Sequence, residues 1–244
     1  MNETPQTLTR RGMAARLTDE QWAEVRACCS EIRSWPGRTV ISRKHDPLDR
    51  SLLLVEGLIA RHVPGPDRAL HEMVALEVPG DFVDLHSFPI GTLDHDVTAI
   101  TDARLAVLPH DRLKEMMDRR PDVALALWAL TVVDASIHRY WSFRVGALRA
   151  TGRVANLLCE LQSRLEMAGL ADETGFHLPL TQVDLSEACG LSPVHVNRVI
   201  RELREAGHCT VKDGRVTIFD LKALRRTGKY DPSFLEIGIQ RDGL

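Results

Sequence analysis

The sequence predicts an α+β protein with a strand-rich N-terminal half, one long central helix and a C-terminal unit of short helices with a β-hairpin. Three observations support this fold class. Short runs of β-forming residues, separated by Pro, Gly and Asp turns, fill 31–108. An unbroken helical pattern extends from Pro121 to about Val145. Two short helix patterns then precede two β-forming runs that Asp213 and Gly214 separate.

Length and composition restrict the class of protein. The chain has 244 residues, 44% of them hydrophobic, enough for one large or two modest globular domains. Its net charge of -3 means that any nucleic-acid surface must be local. The segment 1–16 has no apolar core of a signal peptide, and no run approaches the roughly 18 apolar residues of a membrane helix. The sequence therefore predicts a cytoplasmic protein without membrane contact.

The five cysteines form no CxxC pair. Cys28 and Cys29 are adjacent, whereas Cys159, Cys189 and Cys209 are scattered. Because disulfides are rare in the cytosol, we expect buried free thiols.

The N-terminal half should open with a helix and continue as a β-roll or barrel. Thr18 and Gln21 have the spacing of a capping box, in which each side chain satisfies a backbone amide of the other. Short strands at close spacing are typical of rolls and barrels. The strand-forming runs are 39–41, 51–55, 58–63 and 73–78.

The long helix should begin at Pro121, which suits a first helical turn. Six of its positions have the 4-3-4-3-4 spacing of a coiled-coil seam and are predicted to pair two chains. They are Val123, Leu127, Leu130, Asp134, Ile137 and Trp141. Since a buried carboxylate is costly, Asp134 needs a polar partner or a solvated position. Alternatively the helix packs on its own β-domain, which Val132, Val133 and Tyr140 favour by widening the apolar face.

A helix-turn-helix is predicted from residue spacing. Thr181 can cap a short helix. Counting from Gln182, the fifth residue is Ser186, the ninth is Gly190 and the fifteenth is Val196. A small residue lets the helices approach, glycine permits a left-handed turn, and valine fills the gap between helices.

The second helix of this motif has a buried and a polar face. Ser192 can cap it, and Pro193 suits its first turn. The face predicted to be buried consists of Val196, Ile200 and Leu203. The opposite face suits a DNA major groove. It consists of Val194, Asn197, Arg198 and Arg201, with His195 at its edge.

The runs 209–212 and 215–219 flank Asp213 and Gly214, a strong signal for a hairpin, which would form the wing. From 198 to 229 there are nine basic and four acidic residues, so the positive charge that DNA phosphates require is concentrated here.

The chain resembles the Crp/Fnr family of regulators from about Leu17 to Leu235. The most specific segments are 180–185 and 190–203, and two segments, 56–57 and 79–82, look like turns of the family's β-roll. The resemblance implies an N-terminal cyclic-nucleotide-binding-like β-roll, a long dimerisation helix and a C-terminal winged helix-turn-helix. It also implies a homodimer that binds a near-palindromic DNA site and has RNA polymerase as a partner.

The predicted division of the chain follows this plan. It consists of an N-terminal extension (1–16), a β-roll sensor domain (17–120), the dimerisation helix (121–146), the winged helix-turn-helix (147–235) and a tail (236–244).

The resemblance also assigns DNA contacts. Base-reading positions are Pro193, Val194, Asn197 and Arg198. Backbone-contacting positions are Gln182, Ser192, His195 and Lys212, and basic Arg201 and Arg215 are added to them. The Arg198 guanidinium can donate two parallel hydrogen bonds to guanine O6 and N7. Val194 stands where the family often has glutamate, so the family's half-site does not transfer, and contact with a thymine methyl is expected instead.

The sensor domain does not match the known effectors of the family. The stretch 83–97 corresponds to the phosphate-binding turn of cyclic-AMP binders, yet it has no arginine, and Asp94 and Asp96 would repel a phosphate. Only Cys28 and Cys29 precede Cys159, which argues against a four-thiolate iron–sulfur cluster. Heme or a metal stays open, although surface or hydrogen-bonded histidines are expected. The histidines concerned are His45, His62, His71, His86 and His95.

The sequence also bears on two other functional classes. It has no Gly-rich phosphate loop, no nucleophile elbow and no acid–base or metal constellation, so we predict that the protein is not an enzyme. The alternative to a DNA-binding regulator is an effector-binding or protein-interaction module whose winged helix contacts a protein.

Overall fold

A strand-rich half and a helix-rich half follow one another in the computed structural model, which describes residues 4–65 and 71–236. The helices are α1 (Asp19–Cys28), α2 (His110–Arg119), α3 (Pro121–Ala147), α4 (Ala150–Met167), α5 (Gln182–Cys189), α6 (Pro193–Glu205) and α7 (Leu221–Gly228). The predicted tail beyond 236 and the side chain of His71 lie outside the described residues.

The strands form three antiparallel sheets. They are β1 (Glu31–Trp35), β2 (Thr39–Ser42), β3 (Arg50–Glu56), β4 (Ile59–Pro64), β5 (His71–Glu77), β6 (Asp96–Ala99), β7 (Ala103–Pro109), β8 (Ala171–Asp172), β9 (Gly175–His177), β10 (Cys209–Lys212) and β11 (Arg215–Ile218). The sheet orders are β1-β7-β3, β2-β6-β4-β5 and β10-β11-β9-β8. The first two build the N-terminal β-roll, and their alternating apolar residues share one core that includes Leu54, Ile59 and Leu105. The predicted fold class is confirmed.

Part of the predicted N-terminal extension belongs to the folded core. Thr18 and Gln21 form the predicted capping box, with the Gln21 amide donating to Thr18 Oγ1 over 3.2 Å. Within the predicted extension, Met13 and Ala14 are buried. Gly12 lies directly against the backbone of Pro79, because an added Cβ would come within 2.5 Å of that carbonyl oxygen.

Helix α3 corrects the predicted pairing seam. Apart from Asp134, which is half-buried, the residues predicted to pair two chains are buried within their own chain, and a surface that is already buried cannot face a second chain. These residues are Val123, Leu127, Leu130, Ile137 and Trp141. The exposed face of α3 carries a second 3-4-3-4-3 series instead, which we call the outer stripe. It consists of Leu125, Trp128, Val132, Ala135, Arg139 and Ser142.

Asp134 has the polar partner that its burial requires. Its carboxylate accepts from Nη1 of Arg61 at 2.9 Å, and Arg61 lies on β4. The same guanidinium donates to the carbonyl oxygens of Val83 and Phe82. Arg61 therefore ties α3 to the interior of the β-roll.

The C-terminal unit contains a pair of strands and a helix that the sequence pattern does not predict. The segment 171–177 forms β8 and β9, because the Asp172 carboxylate accepts from the amides of Thr174 and Gly175 and closes a tight turn. Helix α7 follows the wing and is capped by Asp220, which accepts from the Ala223 amide over 2.8 Å. Among the described helices, none is both long and apolar enough to span a bilayer.

Candidate nucleic-acid interface

The turn between α5 and α6 has the predicted geometry. Thr181 caps α5, and Gly190 ends it with a φ of 58°, the left-handed conformation for which glycine was expected. Arg153 of α4 donates to the Gly190 carbonyl oxygen over 3.2 Å. A Cβ at Gly190 would lie 3.3 Å from Cγ1 of Val145, so the turn also packs closely against α3.

Helix α6 is held on α4 by its apolar face. Ser192 Oγ accepts from the His195 amide over 3.3 Å, and Pro193 occupies the first turn, as predicted. The fully buried residues are Val196, Val199 and Leu203. Ile200 was predicted to be buried and is only partly so, because Val199 faces the core more directly.

The opposite face of α6 is open to solvent. Val194 is 81% exposed, and Asn197 and Arg198 are exposed beside it. The nearest carboxylate to the Arg198 Nε is that of Glu202 at 3.8 Å, too long for a hydrogen bond. We call this surface the reading face. The residues lining it are Ser192, Val194, His195, Asn197, Arg198 and Arg201.

The residues predicted to contact the DNA backbone lie in two places. Ser192, His195 and Arg201 belong to the reading face, whereas Lys212 and Arg215 are exposed and paired across the wing hairpin. The hairpin turn has positive φ at both central residues, 52° at Asp213 and 71° at Gly214, as a tight two-residue turn requires.

Gln182 differs from the other predicted contacts. It is half-buried, and its side-chain oxygen is buried without a hydrogen-bond partner among the described residues. Its side-chain oxygen therefore does not reach the surface of the protein.

The stretch 83–97 of the β-roll is largely internal. Asp84 is buried and accepts from the Leu52 amide over 2.7 Å, and burial raises the pKa of its carboxyl to about 7. Asp96 is buried and accepts from the Lys44 amide. Asp94 reaches solvent and bonds to Nδ1 of His95 over 2.7 Å. The two aspartates of the predicted phosphate-repelling pair thus have different environments.

The thiols and histidines have ordinary structural surroundings. All five cysteines are free and buried, as expected, and burial raises the pKa of Cys28 and of Cys189 to about 11. Over 4–65 and 71–236, no group of three or more His, Cys, Asp or Glu side chains is arranged to hold a metal ion.

An exposed recognition helix, a buried apolar scaffold beneath it and a basic hairpin beside it define a winged helix-turn-helix DNA-binding protein. The family model for a Crp-like helix-turn-helix domain matches 152–227. This match assigns 152–227 to the Crp-like helix-turn-helix domains, and the β-roll and the long α3 support a Crp/Fnr-type transcription regulator.

The relatives agree with this assignment. The transcriptional activator protein FnrL of Cereibacter sphaeroides is 27% identical over 211 residues, which cover 85% of this chain and 84% of that protein. The structure of FixK2 from Bradyrhizobium japonicum is similar with a TM-score of 0.74 at 21% identity, covering 82% of this chain and 98% of that one. A CRP/FNR-family regulator from Thermus thermophilus is similar with a TM-score of 0.58 at 24% identity, covering 82% of this chain and 99% of that one.

Several site features were not predicted from the sequence. Arg38, in the turn before β2, contacts Asp184 of α5, and Arg164 of α4 contacts Asp81 of the β-roll. Neither contact has a local spacing signal, because its partners are more than 80 residues apart. The sequence signals for these contacts are Arg38 within a turn and Arg164 within an apolar helix, and neither signal identifies the partner.

Proposed function

We propose that the protein is a homodimeric, sequence-specific DNA-binding regulator that inserts two α6 helices into successive major grooves of a near-palindromic site. Half-sites would be about 10 base pairs apart, one helical turn of DNA. The observation that supports this most directly is the reading face, where apolar and polar groups stand exposed on a helix whose other side is fully packed.

Base reading is assigned to the N-terminal half of α6. Arg198 would donate two hydrogen bonds to a guanine, and Asn197 could pair with the N6 and N7 edge of an adenine. Val194 would contact a thymine methyl, and Pro193 would pack against the adjoining base edge. Together these groups predict a half-site that contains both a G·C and an A·T pair.

Phosphate contacts are assigned to the flanks of the reading face and to the wing. The hydroxyl of Ser192, the imidazole of His195 and the guanidinium of Arg201 flank the bases. Lys212 and Arg215 would reach the neighbouring phosphates from the hairpin, and Gln182 would use its amide nitrogen or backbone. These contacts set affinity and register and do not select sequence.

Pairing of two chains is assigned to the outer stripe of α3. Its 3-4-3-4-3 spacing and its exposed Leu125, Trp128 and Val132 suit a two-helix seam. Arg139 would form a polar layer in the seam. This stripe replaces the six positions that the sequence pattern predicts.

The primary experiment is selection of bound duplexes from random DNA with purified full-length protein. We expect an enriched sequence with two inverted half-sites. Enrichment of a single asymmetric half-site would contradict the dimer, and no enrichment would favour the alternative that the winged helix contacts a protein. An absorption spectrum of the same preparation reveals a bound heme.

Arg198→Ala tests the reading assignment, and Arg204→Ala is its matched control. Both variants remove one positive charge from an exposed position of α6, but Arg204 lies outside the reading face. We expect Arg198→Ala to abolish the preference at one base pair in each half-site, a loss of roughly 1 to 3 kcal/mol of discrimination. Equal effects of both variants on every sequence would mean that Arg198 supplies only charge.

FnrL is named a transcriptional activator. We therefore propose that the protein acts in the cytoplasm with RNA polymerase as a partner. A reporter whose expression rises only when the selected site lies beside a promoter would test this partnership.

A further inference from the structure

Several contacts among the described residues join the β-roll to the first helix of the helix-turn-helix. Helix α5 packs on β5, and Arg38 of the β1–β2 turn donates from Nη1 and Nη2 to the two carboxylate oxygens of Asp184, over 2.6 and 2.7 Å. Nearby, Nε2 of His62 lies 3.8 Å from a carboxylate oxygen of Glu187. We call the pair Arg38 and Asp184 the clasp.

The turn that carries Arg38 is fixed, although its backbone is unfavourable. Arg38 has a φ of 63°, a left-handed conformation that is unfavourable for a non-glycine residue. The Arg38 amide donates to the Ala99 carbonyl oxygen over 2.7 Å, and the Gly37 amide donates to Asp102 Oδ1 over 2.8 Å. These bonds fix the backbone of the turn from which the Arg38 side chain extends to α5.

Asp184 accepts hydrogen bonds from both the β-roll and its own helix-turn-helix. It is the third residue of α5, and its Oδ2 also accepts from the amide and the hydroxyl of Thr181, each over 2.7 Å. Its side chain is 6% exposed, whereas that of Arg38 is 49% exposed. Burial favours the neutral acid, but the hydrogen bonds from Arg38 and Thr181 outweigh it and hold the pKa of this carboxyl below its ordinary value. The clasp is therefore ionic at neutral pH.

A second ion-pair contact between the two domains is more deeply buried than the clasp. Arg164 of α4 bonds to Asp81 over 2.7 Å and to Glu77 over 3.2 Å, and all three side chains are buried. Breaking a buried ion pair leaves an uncompensated charge, so this link should hold whenever the protein is folded. The link fixes α4 on the β-roll, whereas the half-exposed clasp lies farther out, on α5.

In the clasped state the reading face is uncovered, with Val194, Asn197 and Arg198 exposed. A helix-turn-helix held at both α4 and α5 has little freedom to rotate. A DNA site with two half-sites fixes the distance between the two recognition helices. Rotational freedom of the helix-turn-helix must therefore be lost when the protein binds, and this loss weakens DNA binding.

We propose that the clasp is an interdomain positioning device that holds the helix-turn-helix in its DNA-binding orientation and so sets the spacing of half-sites that the dimer accepts. Arg38 and Asp184 are positioning residues: they act through α6 and do not touch DNA. The inference rests on the proposed function, because it presupposes a dimer on two half-sites.

The test measures DNA affinity of the full-length homodimer as wild type, Arg38→Ala and Arg38→Lys. The duplexes carry the selected half-sites at the preferred spacing, and at spacings that are one and two base pairs longer or shorter. For Arg38→Ala we expect about five- to tenfold weaker binding at the preferred spacing, the scale of a charged hydrogen-bonded pair that is partly exposed. We also expect a flatter dependence on spacing and unchanged binding to a single half-site. Arg38→Lys should recover part of the loss, since it keeps the charge but not the paired geometry.

Arg33→Ala is the matched control. Arg33 lies on adjacent β1 and its side chain is 48% exposed. It pairs with Glu31 and lies over the ring of Trp35, and both of these residues belong to β1. The variant removes the same charge but no interdomain contact, so it should keep the spacing profile of the wild type.

A double-mutant cycle tests whether Arg38 acts through Asp184. Asp184→Asn keeps an oxygen for the Thr181 amide, and Arg38→Ala should add little to its effect. An unchanged spacing profile in Arg38→Ala, equal losses in Arg33→Ala, or additive effects in the cycle would each overturn the clasp. If the wild type selects no DNA, the proposed function itself fails, which is a different outcome.

Discussion

The assignment of the outer stripe can be tested at Trp128. This side chain is 67% exposed at the middle of the apolar part of the stripe. A tryptophan presents about 250 Å², so burial of the exposed part at about 25 cal/mol per Å² contributes about 4 kcal/mol. A seam that covers half of this area would gain about 2 kcal/mol per protomer and about 4 kcal/mol per dimer. Trp128→Ala should therefore raise the dimer dissociation constant on the order of a thousandfold.

Sedimentation equilibrium of the full-length protein over a range of concentrations measures this constant. Phe219→Ala is the control, because Phe219 is an aromatic residue that is 58% exposed on the C-terminal unit, far from the outer stripe in the sequence. It should leave the dimer unchanged.

Leu127→Ala distinguishes the two faces of α3. Leu127 is 1% exposed within its own chain, so its loss should lower the free energy of unfolding by roughly 2 to 5 kcal/mol. A dimer that survives Trp128→Ala but is specifically weakened by Leu127→Ala would refute the outer stripe and restore the seam that the sequence pattern predicts.

Three further predictions concern stability and reactivity. Burial raises the pKa of Asp84 from 3.8 to about 7, so the stability that its protonated form contributes is present below the unfolded pKa and is lost as the pH rises towards 7. Between these two pH values the free energy of unfolding, relative to that of Asp84→Asn, should fall by about 1 kcal/mol per pH unit. Urea titrations of both proteins at several pH values measure this difference. Gly190→Ala should cost more stability than Gly169→Ala, since both have left-handed φ but only Gly190 has a neighbour in its Cβ position; equal melting temperatures would remove the packing contribution. The buried cysteines should be alkylated slowly in the native protein and rapidly after denaturation, as counted by mass spectrometry; fast native labelling of Cys189 would contradict its burial.

The helix-turn-helix could be predicted almost residue by residue because its signals are local. The cap at Thr181, the left-handed Gly190, the cap at Ser192 and the hairpin turn at Asp213 each depend on backbone geometry within a few residues. Such signals do not need knowledge of distant partners.

The face of α3 could not be predicted for the opposite reason. A heptad-like apolar series shows that one side of a helix is buried, but not whether its own chain or a second chain covers it. Two such series are present, and the more apolar one faces the β-roll. Asp134 was more informative than the apolar positions. A carboxylate within an apolar series required a polar partner or solvent, and Arg61 is that partner. Strand β8 has only 2 residues, and α7 lacks the helix-turn-helix spacing that identifies the equally short α5, so neither was recognised.

The charged contacts divide the protein into a fixed part and an adjustable part. Arg61 locks α3 to the β-roll through Asp134, and Arg164 locks α4 to it through Asp81, and each of these arginines is buried. Any rearrangement of the β-roll that preserves its core must therefore carry α3 and α4 with it. Between the β-roll and α5 the charged contact is made by a half-exposed cation, that of Arg38, so in the proposed clasp this contact can open while the two locks stay closed. A signal that competes for the Arg38 guanidinium would thus alter the spacing of the two recognition helices without unfolding either domain.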